Sequence, residues 1–164
     1  MQITYKTGDF SAGDERVSIH GCNARGVMGA GAALAVRERL PFAYRVYREA
    51  YLEKGLHLGQ VVWAIDIQPD EQPRIIGNAI TQDDYGSSLK QFVNYDAVKN
   101  AMREVDRFAS HTQTGQMDVA GIGAITAVSM PMIGAGLGGG DWENIAAIIE
   151  EESRHFTPVV YRLP

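Results

Sequence analysis

The chain of 164 residues contains a single cysteine, Cys22, and only four histidines. One thiol excludes an internal disulfide framework. Neither Cys22 nor His20, His57, His111 and His155 stand at metal-ligand spacing, so no metal and no bound cofactor is expected. A lone thiol suits a reducing compartment, and the cytoplasm is the expected location. No run approaches the roughly 18 apolar residues that a membrane span needs, and Met1–Lys6 has neither the charged start nor the apolar stretch of an export signal. Basic residues are also short: 15 Lys and Arg against 20 Asp and Glu leave a net charge of -5. That balance argues against general binding to nucleic-acid backbones, whose readers carry a basic face. No G-x-x-x-x-G-K-[ST] segment occurs, which rules out a phosphate loop of that type. Internal repeats and low-complexity tracts are missing as well. With 45% apolar and 21% charged residues, residues 1–164 read as one soluble globular domain.

Glycine, by contrast, is plentiful, at 18 residues, and it gathers in two stretches. Ile19-His20-Gly21-Cys22-Asn23 reads as the end of an apolar strand, and Ala24 to Gly31 as a glycine-rich turn that opens a helix of small residues. Met130 to Trp142 repeats the arrangement, with Gly134, Gly136, Gly138, Gly139 and Gly140 between a strand and a helix. Such junctions suit anions, because the first turn of a helix has unpaired N–H donors and the positive end of its dipole. Two of them fit a ligand with two phosphates, or a phosphate and a sugar, which makes a nucleotide-derived ligand the expectation. Gly134-Ala135-Gly136-Leu137-Gly138-Gly139 also satisfies G-x-G-x-x-G. A dinucleotide fold, however, needs further strand–helix units and an acidic strand end beyond it, and only one strand follows.

Periodicity predicts strands over Gln2–Lys6, near a sheet edge, and over Arg16–His20, Gln60–Ile67, Arg74–Thr81, Ile122–Met130 and Val159–Leu163. Gln60–Ile67 and Arg74–Thr81 read as a hairpin or as neighbours, joined by the Pro69–Pro73 turn. Ile122–Met130 is apolar enough to be buried on both faces. Helices are expected over Ala32–Leu40, Phe42–Lys54, Leu89–Ala109 and Trp142–Ser153, with Asp141 as an N-cap and His111–Gly115 as a breaker. Tyr44, Tyr47 and Tyr51 fall at core-facing helical spacing. Asp70-Glu71 and Glu150-Glu151-Glu152 read as solvated faces. The class is α/β, a mixed central sheet of about six strands between helical layers.

Gly8-Asp9 after the first strand, His20-Gly21-Cys22-Asn23 with Gly26 to Gly31 after the second, and Met130-Pro131-Met132-Ile133-Gly134-Ala135-Gly136-Leu137 ahead of Trp142 together resemble the macro domain, an ADP-ribose-binding module. The likeness runs from Gln2 to Leu163. Within that family the chain is most similar to the branch of yeast-type ADP-ribose-1″-phosphate phosphatases and terminal ADP-ribose glycohydrolases. The resemblance implies that Asp9 accepts from the adenine amino group, that Asn23 and Gly29, Ala30 and Gly31 hold the distal ribose, and that Gly134 to Gly138 hold the diphosphate. Phe10, Thr81, Ile133, Ala135, Leu137 and Leu163 complete the ligand-binding set it implies.

Glycohydrolases of the branch use a lysine where this chain has Gln82 and an aspartate where it has Gly138. A glutamine is no nucleophile, so that covalent route is closed. His20 stands where the yeast-type phosphatases carry a histidine, and Thr81 to Ser88 resembles their loop. The resemblance therefore implies a catalytic set of His20, Asn23, Asp83 and Asp84, with the histidine as nucleophile or general acid–base. A histidine that caps a strand end is the alternative. Three readings stay open: removal of the 1″-phosphate, hydrolysis of ADP-ribosyl or O-acyl linkages through a positioned water, and binding without turnover. ADP-ribosylated macromolecules are the further expected partners.

Overall fold

A computed structural model describes residues 1–69, 71–86 and 91–164. Asp70 of the expected turn, Ser87 and Ser88 of the expected loop, and Leu89 of the expected helix start lie outside the described residues. Six strands and four α-helices follow one another as β1 (Thr4–Thr7), β2 (Val17–Asn23), α1 (Gly31–Arg39), α2 (Pro41–Lys54), β3 (Val61–Asp66), β4 (Arg74–Gln82), α3 (Tyr95–Gln113), β5 (Ala127–Met130), α4 (Trp142–Glu152) and β6 (Thr157–Arg162). A 3₁₀ turn, Phe10–Ala12, lies between β1 and β2. The sheet order is β1-β6-β5-β2-β4-β3. All neighbours are parallel except β3, which pairs antiparallel with β4 from Val61↔Ala79 to Asp66↔Arg74.

Alternation along β2 sends its side chains to two cores. Val17 and Ile19 pack under α3 and α4 with Ile75, Met102, Met130 and Ile145. Cys22 packs under α1 and α2 with Ile76, Ile80, Phe42 and Tyr47. The helices after β2 therefore cover one face, and the helix after β5 covers the other. β2 and β5 are neighbours, so their chains part in opposite directions and leave a crevice at their C-terminal ends, where open α/β sheets bind ligands.

Most local expectations hold, and the departures have local causes. Asp141 caps α4, its side chain accepting from Glu143 N at 3.2 Å. Gly55, at φ 74°, ends α2. α3 begins at Tyr95 because Asn94 caps it, accepting from Ala97 N at 2.9 Å. Phe92 and Val93, which share the apolar spacing, are instead extended, their N–H groups donating to Gly138 O at 2.7 and 3.0 Å. His111 does not break that helix, which runs to Gln113 before Gly115 turns at φ 76°. β5 starts at Ala127 rather than Ile122, since Ala120, Gly121 and Gly123 hold positive φ of 50°, 74° and 75°. Of the tyrosine stripe only Tyr47 is fully buried. The acidic run at the end of α4 is not simply solvated: Glu152 is 4% exposed and accepts from Arg103 Nε at 3.1 Å.

Candidate ligand cleft

The C-terminal ends of β2, β4 and β5 open into a cleft of about 520 Å³. Loop 1, residues 24–30, forms one wall. Asn23 shapes it: its Oδ1 accepts from Arg25 N at 2.9 Å and lies 3.0 Å from the Tyr47 hydroxyl and 3.4 Å from Val27 N, and its Nδ2 donates to Val27 O at 2.7 Å. One Nδ2 hydrogen is left over. Gly26 turns at φ 76°, and a Cβ there would meet the Tyr51 ring at 2.6 Å. The wall ends in α1, whose N-cap, Ala30, offers no side-chain acceptor. The first-turn N–H groups of Gly31, Ala32 and Ala33 therefore have no partner within the helix, and all three residues line the cleft.

Loop 2, residues 131–140, forms the facing wall. Gly134 sits at φ 74°, and a Cβ on Gly138 would stand 2.7 Å from Gly134 O. Only glycine permits this close approach of backbone to backbone. The carbonyls of Gly134, Gly136 and Gly138 turn inward to accept from Gly140 N, from Gly139 N, and from Phe92 and Val93 N. Among the described residues, the N–H groups of Gly136, Leu137 and Gly138 have no acceptor. Gly136 has open space where a Cβ would be, and a Cβ on Gly31 would lie 3.7 Å from Leu137 Cδ1, so the two walls nearly touch at the rim.

The floor is Gly21, Thr81 and Ile133. Thr81 is 2% exposed, and its hydroxyl has no hydrogen-bond partner among the described residues. No Asp, Glu, Lys or Arg is found among the described lining residues. The site is thus built to receive anions with main-chain dipoles rather than with formal charge.

Of the residues the resemblance implies, Asn23, Gly29, Ala30, Gly31, Thr81, Ile133, Gly134, Gly136, Leu137 and Gly138 line this cleft. Ala135 lies in the same loop with its N–H turned back to Met132 O at 3.2 Å. Asp9, Phe10 and Leu163 lie outside it. Asp9 Oδ1 accepts from Ser11 N at 2.8 Å and Ser11 Oγ at 2.6 Å, and Oδ2 pairs with Arg39. Phe10 is buried and stacks on His20 with ring centroids 6.4 Å apart. Leu163 is exposed.

The expected catalytic set needs correction at His20. Its ring is fully buried on the α1–α2 side of the sheet, away from the cleft. Nε2 lies 2.6 Å from Asn78 Oδ1, and Asn78 Nδ2 donates to Ala43 O and Val62 O at 3.2 and 3.1 Å. Those two carbonyls orient the amide, so the ring donates from Nε2 and stays neutral. Burial pushes its pKa down to about 4, against the hydrogen bond to Asn78. Cys22 Sγ packs 3.5 and 3.7 Å from the two ring nitrogens. The row Cys22–His20–Asn78 imitates a nucleophile, base and orienter, but burial raises the thiol's pKa as it lowers the imidazole's. No thiolate forms there.

In the loop after β4, Asp83 pairs with Arg25 at 3.0 Å and Asp84 Oδ1 accepts from Tyr85 N at 2.8 Å; both carboxylates are exposed and neither lines the cleft. Gln82 and Tyr85 line it instead. Those two, with Gly21, Ala32 and Ala33, are lining residues that the glycine pattern does not mark. Strand alternation past His20 puts Gly21 on the face opposite to it, and this is the signal that would have found the floor.

No family model matches the chain. An ADP-ribose 1″-phosphate phosphatase of Candida albicans is 26% identical over 96% of this chain and 99% of its own length. A DNA ADP-ribosyl glycohydrolase of Mycobacterium tuberculosis is 25% identical over 87% of this chain, which spans only 36% of that protein. The solved structure of a macrodomain protein from Streptomyces coelicolor superposes with a TM-score of 0.72 at 26% identity, covering 98% of this chain and 99% of that one. With the mixed six-stranded sheet and the cleft between its two glycine loops, these likenesses give the chain the macro domain fold and a sequence similar to proteins of that family.

Proposed function

We propose that the chain binds ADP-ribose in this cleft and hydrolyses an ADP-ribose derivative, removing the 1″-phosphate from ADP-ribose-1″-phosphate. The observation that carries the reading is the pair of facing rows of unpartnered backbone N–H groups, Gly31 to Ala33 on one wall and Gly136 to Gly138 on the other. The Gly136–Gly138 row suits the diphosphate. The α1 N-terminus, with the free Nδ2 hydrogen of Asn23, suits the distal ribose and the phosphate beyond it. Donors fixed before binding lose little freedom when the ligand arrives. The similarity to a phosphatase over nearly the whole of both chains supports the same reading.

Hydrolysis of that phosphate requires water to attack phosphorus while the 1″-oxygen leaves with a proton. The α1 N–H groups stabilise the charge on the phosphoryl oxygens. With His20 out of the cleft and no described carboxylate lining it, the remaining acid–base candidates are Asp83 and Asp84, in the loop beside the lining residues Gln82 and Tyr85, and Arg25 pairs with the first of them. Calorimetry with ADP-ribose should give micromolar affinity, about -8 kcal/mol, and incubation with ADP-ribose-1″-phosphate should release inorganic phosphate. Asp84→Asn should lower kcat by roughly 10² to 10⁴ with little change in affinity. No heat with ADP-ribose at high protein concentration overturns the assignment.

The lack of charged side chains among the described lining residues favours a second reading, binding without turnover. Hydrolysis of ADP-ribosyl or O-acyl linkages by a water held at Asn23 is the third. ADP-ribosylated protein or DNA and O-acetyl-ADP-ribose, run beside the phosphorylated substrate, separate the three. The free thiol of Cys22 fits a cytoplasmic location.

A further inference from the structure

The two edges of the sheet are built differently. β1, at one end, is four residues long and exposed throughout; it carries Lys6, and Arg162 stacks on its Tyr5 ring at 3.8 Å. Charge of that kind keeps a sheet edge from pairing with another chain. β3, at the other end, is longer, has no proline and carries one charge, Asp66. Ile80 N donates to Gln60 O at 2.8 Å, in the register that pairs Val61 with Ala79. Alternation from there turns the backbone groups of Val62, Ala64 and Asp66 toward β4, and those of Val61, Trp63 and Ile65 outward. Among the described residues, no acceptor reaches these outward N–H groups.

Beside the open edge lies an apolar groove. Trp63, Ile65, Ile75, Phe108, Met117 and Val119 line about 440 Å³ between β3 and α3, with the Trp63 and Phe108 ring centroids 4.5 Å apart. Ile65 is 45% exposed and Met117 39%. Strand addition requires this combination: main-chain hydrogen bonds hold the incoming strand while its alternate side chains enter the groove.

We propose that this edge pairs with a second copy of itself, β3 against β3 in antiparallel register about a two-fold axis through Trp63, so that two six-stranded sheets join into one. Charges at the rim of the groove, Glu104, Arg107 and His111, select this occupant. α3 runs alongside β3: Asn100 lies beside Gly59, Phe108 on Trp63, and His111 shares the groove with Ile65. A two-fold through Trp63 sets Val61 against Ile65 of the second copy and lays the two α3 helices antiparallel on one face of the joined sheet. Glu104, one turn before Phe108, then faces His111 of the second copy, one turn after it, and the pair occurs twice. Arg107, near the axis, stays paired with Glu104 of its own chain. The two β4 strands would stand about 14 Å apart, three strand spacings, so side chains of helices lying over β4 and β3 can meet across the axis.

Sedimentation of the wild-type chain at roughly 100 μM should show twice the monomer mass, since well-matched interfaces dissociate at micromolar concentrations or below. Amide exchange at Val61, Trp63 and Ile65 should slow as concentration rises. Ile65→Lys, at an exposed position, puts a charge on the open edge and should raise the dimer dissociation constant at least about tenfold. His111→Glu should raise it severalfold by setting like charges face to face, and Glu104→Lys added to it should restore the dimer. ADP-ribose affinity should stay within about twofold in all three variants, because none of these residues lines the cleft. A chain that stays monomeric at that concentration overturns the proposal, whether its edge is then covered by another protein's strand or by nothing. So does a dimer that Ile65→Lys leaves intact, or a charge swap that restores nothing, which would place the contact elsewhere.

Discussion

Two polar regions lie on either side of β2, a few ångströms of sheet apart, and they differ in whether their hydrogen bonds are made. Beneath the sheet, His20, Asn78, Ala43 O and Val62 O form a closed set in which the ring nitrogen and both amide hydrogens of Asn78 have partners. Above the strand ends, the N–H groups of Gly136 to Gly138 and the hydroxyl of Thr81 have none among the described residues. Satisfied polar groups hold a fold together; unsatisfied ones await a ligand. By that criterion the histidine belongs to the architecture, and the glycine N–H groups are the ones left open to a ligand, the reverse of what residue type alone suggests.

Substitutions on each side should separate the two. The largest effect on binding is expected at Gly136, where the space for a side chain is open. Gly136→Glu should weaken ADP-ribose binding at least about a hundredfold by placing a carboxylate against the diphosphate in a site of low dielectric, with Tm little changed. Calorimetry and thermal melting on one sample check both halves. His20→Ala should do the opposite. It strands Asn78 Oδ1 and opens a cavity, for about 4 kcal/mol of stability, while turnover and affinity measured below the new Tm should match wild type. Turnover reduced a hundredfold in a folded His20→Ala protein would return the ring to the mechanism.

A smaller effect on stability is set by pH. Folding depresses the His20 pKa from 6.5 to about 4, so between those values the unfolded chain takes up a proton that the folded chain refuses. The neutral ring's contribution is complete above pH 6.5, is lost as pH falls toward 4, and changes no further below that, for a total of about 3 kcal/mol. Chemical denaturation across that range should show the slope in the wild type, and His20→Gln should lack this component.

Much of this arrangement is legible in the sequence. Glycine spacing marks both walls, because positions such as Gly134 and Gly138 tolerate nothing larger, and a steric demand of that kind leaves a direct trace in residue type. The order of strands and helices follows from apolar period, and the sheet is as expected. Side-chain direction is less legible. Asp83 and Asp84 look like the acids of the loop, yet Gln82 and Tyr85 are the residues turned to the cleft, and a one-residue bulge at Thr81 decides which. A bulge has no composition signature, so alternation counted along β4 cannot anticipate it. His20 is hard to place for a related reason: the next three residues of β2, Gly21, Cys22 and Asn23, all line the site, and it is the burial of the ring beside Asn78 that removes it.

Because the donors of loop 2 are peptide N–H groups, no replacement other than proline can delete them. Any other substitution can only obstruct them or bend the chain that carries them. A mutational scan read out by ADP-ribose affinity should therefore find intolerant positions at Gly134, Gly138 and Gly140, where a Cβ would meet Val93 or the Gly134 carbonyl at 2.5 to 2.7 Å, rather than at charged residues. A chain built this way can exchange the charged residues at the edge of the cleft, Arg25, Asp83 and Asp84 among them, without touching these donors.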